Sequence, residues 1–325
     1  ERAKAFGVYG ALSGAGGAIG LVLGGILTEY TSWHWTLWVN VPIAILAVFL
    51  GLAYVKESRA TGDTKYDIPG AITATLGLVS LVFGITKAES DGWTGTSTLT
   101  FIGIALVLLA LFLFIEKRST NPLLPLAIIK NTNRGGAYLA SFFLGIGLFA
   151  MFLFLTYFFQ IVLGYTPLKA GLLFLPFSAG IIISAGITSQ LLPRFGPRYV
   201  TFGGFILATS GMLLLTRITP ESSYVSNILP ALIIISLGMG LIFVPLSATA
   251  LFAVGTNDAG VASAVLNTSQ QIGGSVGIAF LNTIATSATA AYVVANNVDP
   301  SNPNAQVEGY VDAFMWGAGL LAVAG

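Results

Sequence analysis

Side chains able to bind a ligand are few in this chain, and they recur at helical spacing. Ser263, Asn267, Gln270 and Gln271 fall three or four residues apart, so on a helix they share a face. Tyr157 and Gln160 keep the same spacing in a run rich in phenylalanine, with Tyr138, Ser141 and Thr156 nearby. Ser13 stands beside the glycine series Gly16, Gly20, Gly24 and Gly25. Hydroxyls and amides on such faces either bridge helices or form the wall of an amphipathic cavity, which suits bulky apolar or cationic compounds. Glycines four residues apart let two helix backbones approach closely. Catalytic and metal chemistry is poorly provided for. The chain has no cysteine and one histidine, which excludes disulfides and thiolate or multi-histidine metal sites. No metal and no cofactor is expected. The acids Glu29, Glu57, Glu89, Asp91, Glu116, Asp258, Asp299 and Asp312 stand at the ends of apolar runs or in loops, so none provides a carboxylate pair at depth.

The elements that must position these residues are read from the charges. Only 14 Lys+Arg and 13 Asp+Glu occur in 325 residues, of which 55% are hydrophobic. Between charges lie Ala5–Thr28, Tyr30–Val55, Ile68–Thr86, Gly92–Ile115, Gly135–Leu168, Ala170–Pro193, Tyr199–Thr216, Ser222–Asn257 and Ala259–Val298. Each is roughly 18 residues or longer, enough for a helix to cross a hydrocarbon layer of about 30 Å. A tenth, Ala313–Gly325, is shorter. The fold class is therefore an all-α, polytopic membrane bundle of about nine complete spans and a truncated tenth. It crosses a lipid bilayer, and its scattered basic residues make no nucleic-acid patch.

Charge also orients the chain. With residues 1–5 on the cytoplasmic side, eleven basic residues (Arg2, Lys4, Lys56, Arg59, Lys65, Lys117, Arg118, Lys130, Arg134, Arg194 and Arg198) fall inside, and three (Lys87, Lys169 and Arg217) fall outside. The positive-inside rule selects that orientation. Loops 61–67 and 117–134 are then cytoplasmic, and 88–97 and 296–309 lie outside. Asp67 followed by Pro69 reads as a helix cap and first turn. Four parts follow: 1–60 with two spans, 61–118 with two central spans, a linker 119–134, and a helical bundle 135–325.

Several stretches carry a resemblance. They are Gly14–Gly25 followed by Trp33 to Ile43 with its Asn40-Val41-Pro42, and Tyr66 to Ala71 with Gly92-Trp93. Next come Tyr157 to Gly171 running on to Pro176, and Leu192 to Arg198. The last is Gly260–Ser263 with Asn267 to Gly274. In this order they resemble the fourteen-helix drug/proton antiporter branch of the major facilitator superfamily. The register implies spans five to thirteen and the start of fourteen, and hence an internal piece of a longer protein. The resemblance implies a plasma-membrane exporter of amphipathic small molecules such as drugs or antibiotics. It implies proton antiport by alternating access, with the coupling acid on a first span that this chain lacks. It implies that Gly16, Gly20, Gly24 and Gly25 form the antiporter-type helix, which limits leakage in one state. Arg194, Gly196 and Arg198 would form a cytoplasmic gate loop, with Asp258 as the partner that topology suggests. Two departures stand out. Leu21 follows Gly20 where the family pattern has proline, which keeps the helical hydrogen bond and weakens a kink. The arginine common near Gln270 is absent. The protein is expected to be monomeric. Alternatives are export of an endogenous metabolite, lipid or siderophore, a passive channel, or an intramembrane enzyme. No filter motif supports the channel, and no catalytic constellation supports the enzyme.

Overall fold

The structure is a computed structural model that describes residues 16–17, 19–54, 67–119, 122–255 and 258–325. Ser13, the segment 1–5 and most of the loop 61–67 lie outside these residues.

Ile19–Tyr30 (α1) is a short apolar helix. The run expected as one span at Tyr30–Val55 holds one membrane-length stretch, His34–Tyr54, made of His34–Trp38 (α2) and Asn40–Tyr54 (α3) with a break at Val39. The Asn40 side chain bridges the break, donating from Nδ2 to the Thr36 carbonyl at 2.9 Å. Pro42 sits in the first turn of α3, where amides have no acceptor inside the helix. No residue of α2 or α3 is buried.

Ile68–Asp91 (α4) and Thr96–Arg118 (α5) form an antiparallel hairpin. Asp67 caps α4 as its sequence position predicts: Oδ1 accepts from the Gly70 amide at 2.8 Å, and Pro69 follows in the first turn. Gly92, at φ 76°, turns the chain between the two helices. Gly77 against Leu109 and Gly84 against Ile102 bring them close, and Phe83 meets Phe101 edge to face at 4.6 Å between centroids. The hairpin docks on the rest of the molecule through α4, which packs on Ala259–Asn296 (α11).

After Leu126–Lys130 (α6) comes Thr132–Tyr157 (α7), extended by a wide helical turn over Phe158–Val162. α7 thus starts inside the stretch read as linker 119–134. Asn131 supplies the reason: its side chain accepts from the Arg134 amide and caps the helix there. Glu116 anchors the linker, Oε2 accepting from the Leu124 amide at 3.0 Å. Pro167–Leu173 (α8) leads into Leu175–Leu215 (α9), which holds two spans rather than one. The chain turns at Gly196, whose φ of 76° and ψ of 166° suit glycine alone. Gly180 on the first arm and Gly211 on the second press on Ser236 and Ile235 of Leu229–Ala250 (α10), so the arms run side by side against it. Pro303–Ala324 (α12) closes the bundle. It begins ten residues before the expected Ala313, because Asn302 and Pro303 cap and start it, the Asn302 side chain accepting from the Asn304 amide at 2.9 Å. The tenth span is therefore 22 residues long, and Asp312 lies half-buried within it rather than in a loop.

The core runs through α7, α9, α10, α11 and α12, with Phe154, Phe158, Phe159, Phe174, Phe177, Phe205 and Phe314 fully buried. Helix crossings are made by small residues. A Cβ at Gly273 would strike the Phe142 backbone, at Gly145 the Gln270 carbonyl, and at Gly277 the Ile146 backbone. This is the backbone contact that the Gly273-x-x-x-Gly277 spacing predicts, and it holds α7 parallel to α11. Ser184 and Thr188 add hydrogen bonds from α9 to the Leu237 and Gly240 carbonyls of α10.

Candidate functional site: a cavity between α1 and the C-terminal helices

Four helices of the C-terminal part and α1 enclose a cavity of about 640 Å³. Leu21 of α1 contributes, as does Gly17 ahead of it in the chain. α7 contributes Ser141, Leu148 and Phe152; the first arm of α9 contributes Phe177, Ser178, Ile181 and Ala185. α10 and the turn after it contribute Gly240, Phe243, Val244, Leu246, Ser247 and Leu251, and α11 adds Ser263, Leu266, Asn267 and Gln270. The wall is mostly aliphatic and aromatic, interrupted by four hydroxyls and two amides. Among the described residues that line it none is charged. Such a surface can solvate an amphipathic molecule: apolar groups find dispersion contacts, and a few polar groups fix orientation.

Residue periodicity explains who reaches the cavity. Ser263, Asn267 and Gln270 are spaced four and three residues apart along α11 and lie on its cavity face. Asn267 also donates from Nδ2 to the Ser263 carbonyl at 3.0 Å, which leaves its side-chain oxygen free of that contact. Gln271, expected on the same face, is exposed elsewhere, because one residue turns the helix by about 100°. Tyr157 does not line the cavity either; its ring lies 6.4 Å from that of Tyr310. Gln160 and Thr156 line a second, smaller cavity of about 260 Å³, together with Gly20, Gly24, Gly25, Thr28 and Thr36. Phe152 lies in the phenylalanine-rich run around Tyr157, whereas Ser178, Ser247 and Phe177 were not singled out from the sequence.

Between the two cavities runs a seam. A Cβ on Gly25 would lie 2.8 Å from the Cα of Leu168, and one on Gly171 would lie 2.6 Å from the carbonyl oxygen of Leu21. The Glu29 carboxylate accepts a hydrogen bond from the Leu168 amide at 3.1 Å. Phe152 lies 5.0 Å from Phe174 and 5.2 Å from Phe177 and caps the larger cavity on this side. Of the glycines expected to form this packed helix, Gly25 is so pressed, whereas a Cβ on Gly16, Gly20 or Gly24 would meet nothing within 4 Å among the described residues. At the opposite end the lining reaches Ser247, Leu251 and Ser263, near the turn that carries Arg194 and Arg198. Both arginines are exposed, and neither is bonded to Asp258 among the described residues.

Among the described residues, eight helices are long and apolar enough to cross a membrane, with α9 counted once, as a multi-pass architecture requires. The comparisons agree with it. The chain is 42% identical over 326 residues to a puromycin resistance protein of Streptomyces alboniger, covering 99% of this chain and 64% of that protein. It is 33% identical over 294 residues to a cephamycin export protein of Amycolatopsis lactamdurans, covering 89% of this chain and 60% of that one. It is 31% identical over 284 residues to a multidrug resistance protein of Mycobacterium tuberculosis, covering 87% and 52%. The chain thus spans between about half and two thirds of the length of these curated relatives. Residues 1–278 match the pattern of the Major Facilitator Superfamily, and the chain is a multi-pass membrane protein that belongs to that superfamily.

Proposed function

We propose that the complete protein exports amphipathic small molecules, antibiotics among them, by alternating access driven by proton influx. The observation that carries this is the cavity itself: about 640 Å³, apolar with hydroxyls and amides, without a charge among the described residues that line it, and bordered by the α1–α8 seam. A carrier needs such a chamber between two parts that can rock. The names of the relatives, a puromycin resistance protein and a cephamycin export protein, support antibiotics as substrates.

In this reading the Arg194 end is cytoplasmic, because the basic residues gather there. α1 to α3 end one bundle, α4 and α5 are an inserted hairpin, and α7 to α12 are the second bundle. Asn267 and Gln270 contact substrate, α1 seals the outer side through Gly25, and Arg194, Gly196 and Arg198 form a turn that gates the inner side. The protein works as a monomer. The test is efflux of puromycin and of an unrelated amphipathic dye from cells making the complete protein, with and without a protonophore. Efflux that needs the protein and stops with the protonophore supports the reading. Protein-dependent efflux that persists without a proton gradient refutes antiport.

A second reading draws on the cephamycin relative, whose printed name is that of an export protein. The substrate is then a compound the cell itself makes. Accumulation of an intracellular product on gene deletion, with unchanged sensitivity to added drugs, would favour it.

A further inference from the structure

We infer that Glu29 is a positioning residue for transport: its carboxylate is the latch that holds the α1–α8 seam closed. The inference rests on the carrier reading above and adds a named side chain to its gate. Oε2 of Glu29 accepts from the Leu168 amide at 3.1 Å, across 139 residues of sequence. Leu168 is in the first turn of α8, where amides have no acceptor within the helix. Thr166 already caps the Lys169 amide, so Glu29 serves the neighbouring donor from outside the element.

Three features make this contact a latch rather than an incidental surface bond. Gly25, one turn before Glu29, fixes the approach of the two backbones against Leu168, and Gly171 receives the Leu21 carbonyl. The bond therefore sits at the open edge of an interlocked seam. Second, the seam is what divides the two cavities, since Leu21 lines both. Third, the basic side chains that flank the contact in sequence, Lys169 and His34, have other neighbours. The Lys169 ammonium lies over the Tyr165 ring at 3.3 Å from its centroid. His34 stacks on Trp33 at 3.8 Å, with Nδ1 3.5 Å from the Ser32 hydroxyl. The backbone amide is thus the partner that geometry gives Glu29.

The latch must release when α1 leaves α8, and a single bond to a backbone amide can do so without leaving a buried charge, because Glu29 is exposed. A charge-assisted hydrogen bond is worth about tenfold in an equilibrium, and solvent exposure reduces this to about threefold.

The experiment uses the complete protein in cells, with any cysteine outside these 325 residues replaced by serine, since these residues contain none. Ser178→Cys places a thiol inside the larger cavity, beneath the seam. A membrane-impermeant maleimide is applied from outside. Adding Glu29→Ala should raise the labelling rate of that thiol about threefold. Glu29→Gln keeps an acceptor oxygen without the charge and should give a smaller rise. If Glu29→Ala does not reach the membrane, Glu29→Gln decides alone. An unchanged rate in a variant that reaches the membrane overturns the latch. Two controls separate other failures. Asn304→Cys reports orientation, because it lies in the first turn of α12 on the outer side. Efflux by the complete protein without the introduced cysteine reports the carrier reading. A latch failure leaves both controls intact.

Discussion

Asn267 and Gln271 look equivalent as letters one helical turn apart, yet only Asn267 lines the cavity. Asn267→Ala should therefore change the substrate profile, weakening compounds that use its amide by about fivefold, the equivalent of one net hydrogen bond of about 1 kcal/mol. Gln271→Ala should leave all substrates alike. Efflux of several unrelated compounds, normalised to protein level, reads both; uniform loss for Asn267→Ala would make it structural. A second residue-scale expectation concerns Asp299 in the turn before α12. Its carboxylate accepts from the Ser301 hydroxyl at 2.6 Å and the Ser301 amide at 2.8 Å, and these bonds hold its pKa below the ordinary value. A lowered folded pKa means that the contribution is present above the unfolded value, about 3.9 for aspartate. It fades as pH falls through the folded value. Asp299→Asn should remove that acid-side dependence of proteolytic protection of the 297–302 turn while leaving neutral-pH efflux unchanged.

At the scale of elements, glycines divide by what surrounds them. Gly273 meets the Phe142 backbone, so a side chain there must push α7 from α11. Gly273→Val should cost about 1–3 kcal/mol or prevent assembly. Gly103 meets nothing within 4 Å in the interior of α5. Gly103→Ala should gain about 0.5–1 kcal/mol by stiffening the helix. Thermal unfolding of the purified protein in detergent compares the two, and equal effects would contradict the packing argument. The linker gives a further case. Glu116 is 4% exposed, and its carboxylate holds the Leu124 amide. Glu116→Ala leaves that amide without its acceptor, and limited proteolysis after residue 118 should speed up. Glu116→Gln, which keeps an acceptor, should restore part of the protection.

The molecule as a whole has two unlike ends. The expected cytoplasmic end carries the Arg194–Arg198 turn, and the other carries the seam and the turn before α12. Single cysteines make this measurable. Phe195→Cys should react only with reagents that enter the cell, and Asn304→Cys with impermeant reagents from outside; the reverse result would invert the orientation. The larger cavity is capped by Phe152 and Phe177 on the seam side, while its lining continues to Leu251 and Ser263 on the other.

Much of this architecture is legible in the letters, because membrane physics is severe. A lipid-facing backbone must satisfy itself, so long uncharged runs are helices. Asp67 with Pro69 announced the start of α4, and the Gly273-x-x-x-Gly277 spacing announced a close helix crossing. Boundaries that depend on local caps were less legible: Asn131 started α7 inside the expected linker, and Asn302 with Pro303 lengthened α12. Composition could not tell which face of a helix meets which neighbour. Tertiary packing alone brought Ser178 and Ser247 into the cavity wall, turned Gln271 and Tyr157 away from it, and left Gly16, Gly20 and Gly24 uncrowded while Gly25 was pressed. It alone joined Glu29 to Leu168. Sequence spacing specifies residues that share one helix face, whereas a cavity is made by several helices whose relative rotation and depth are set only when their side chains pack.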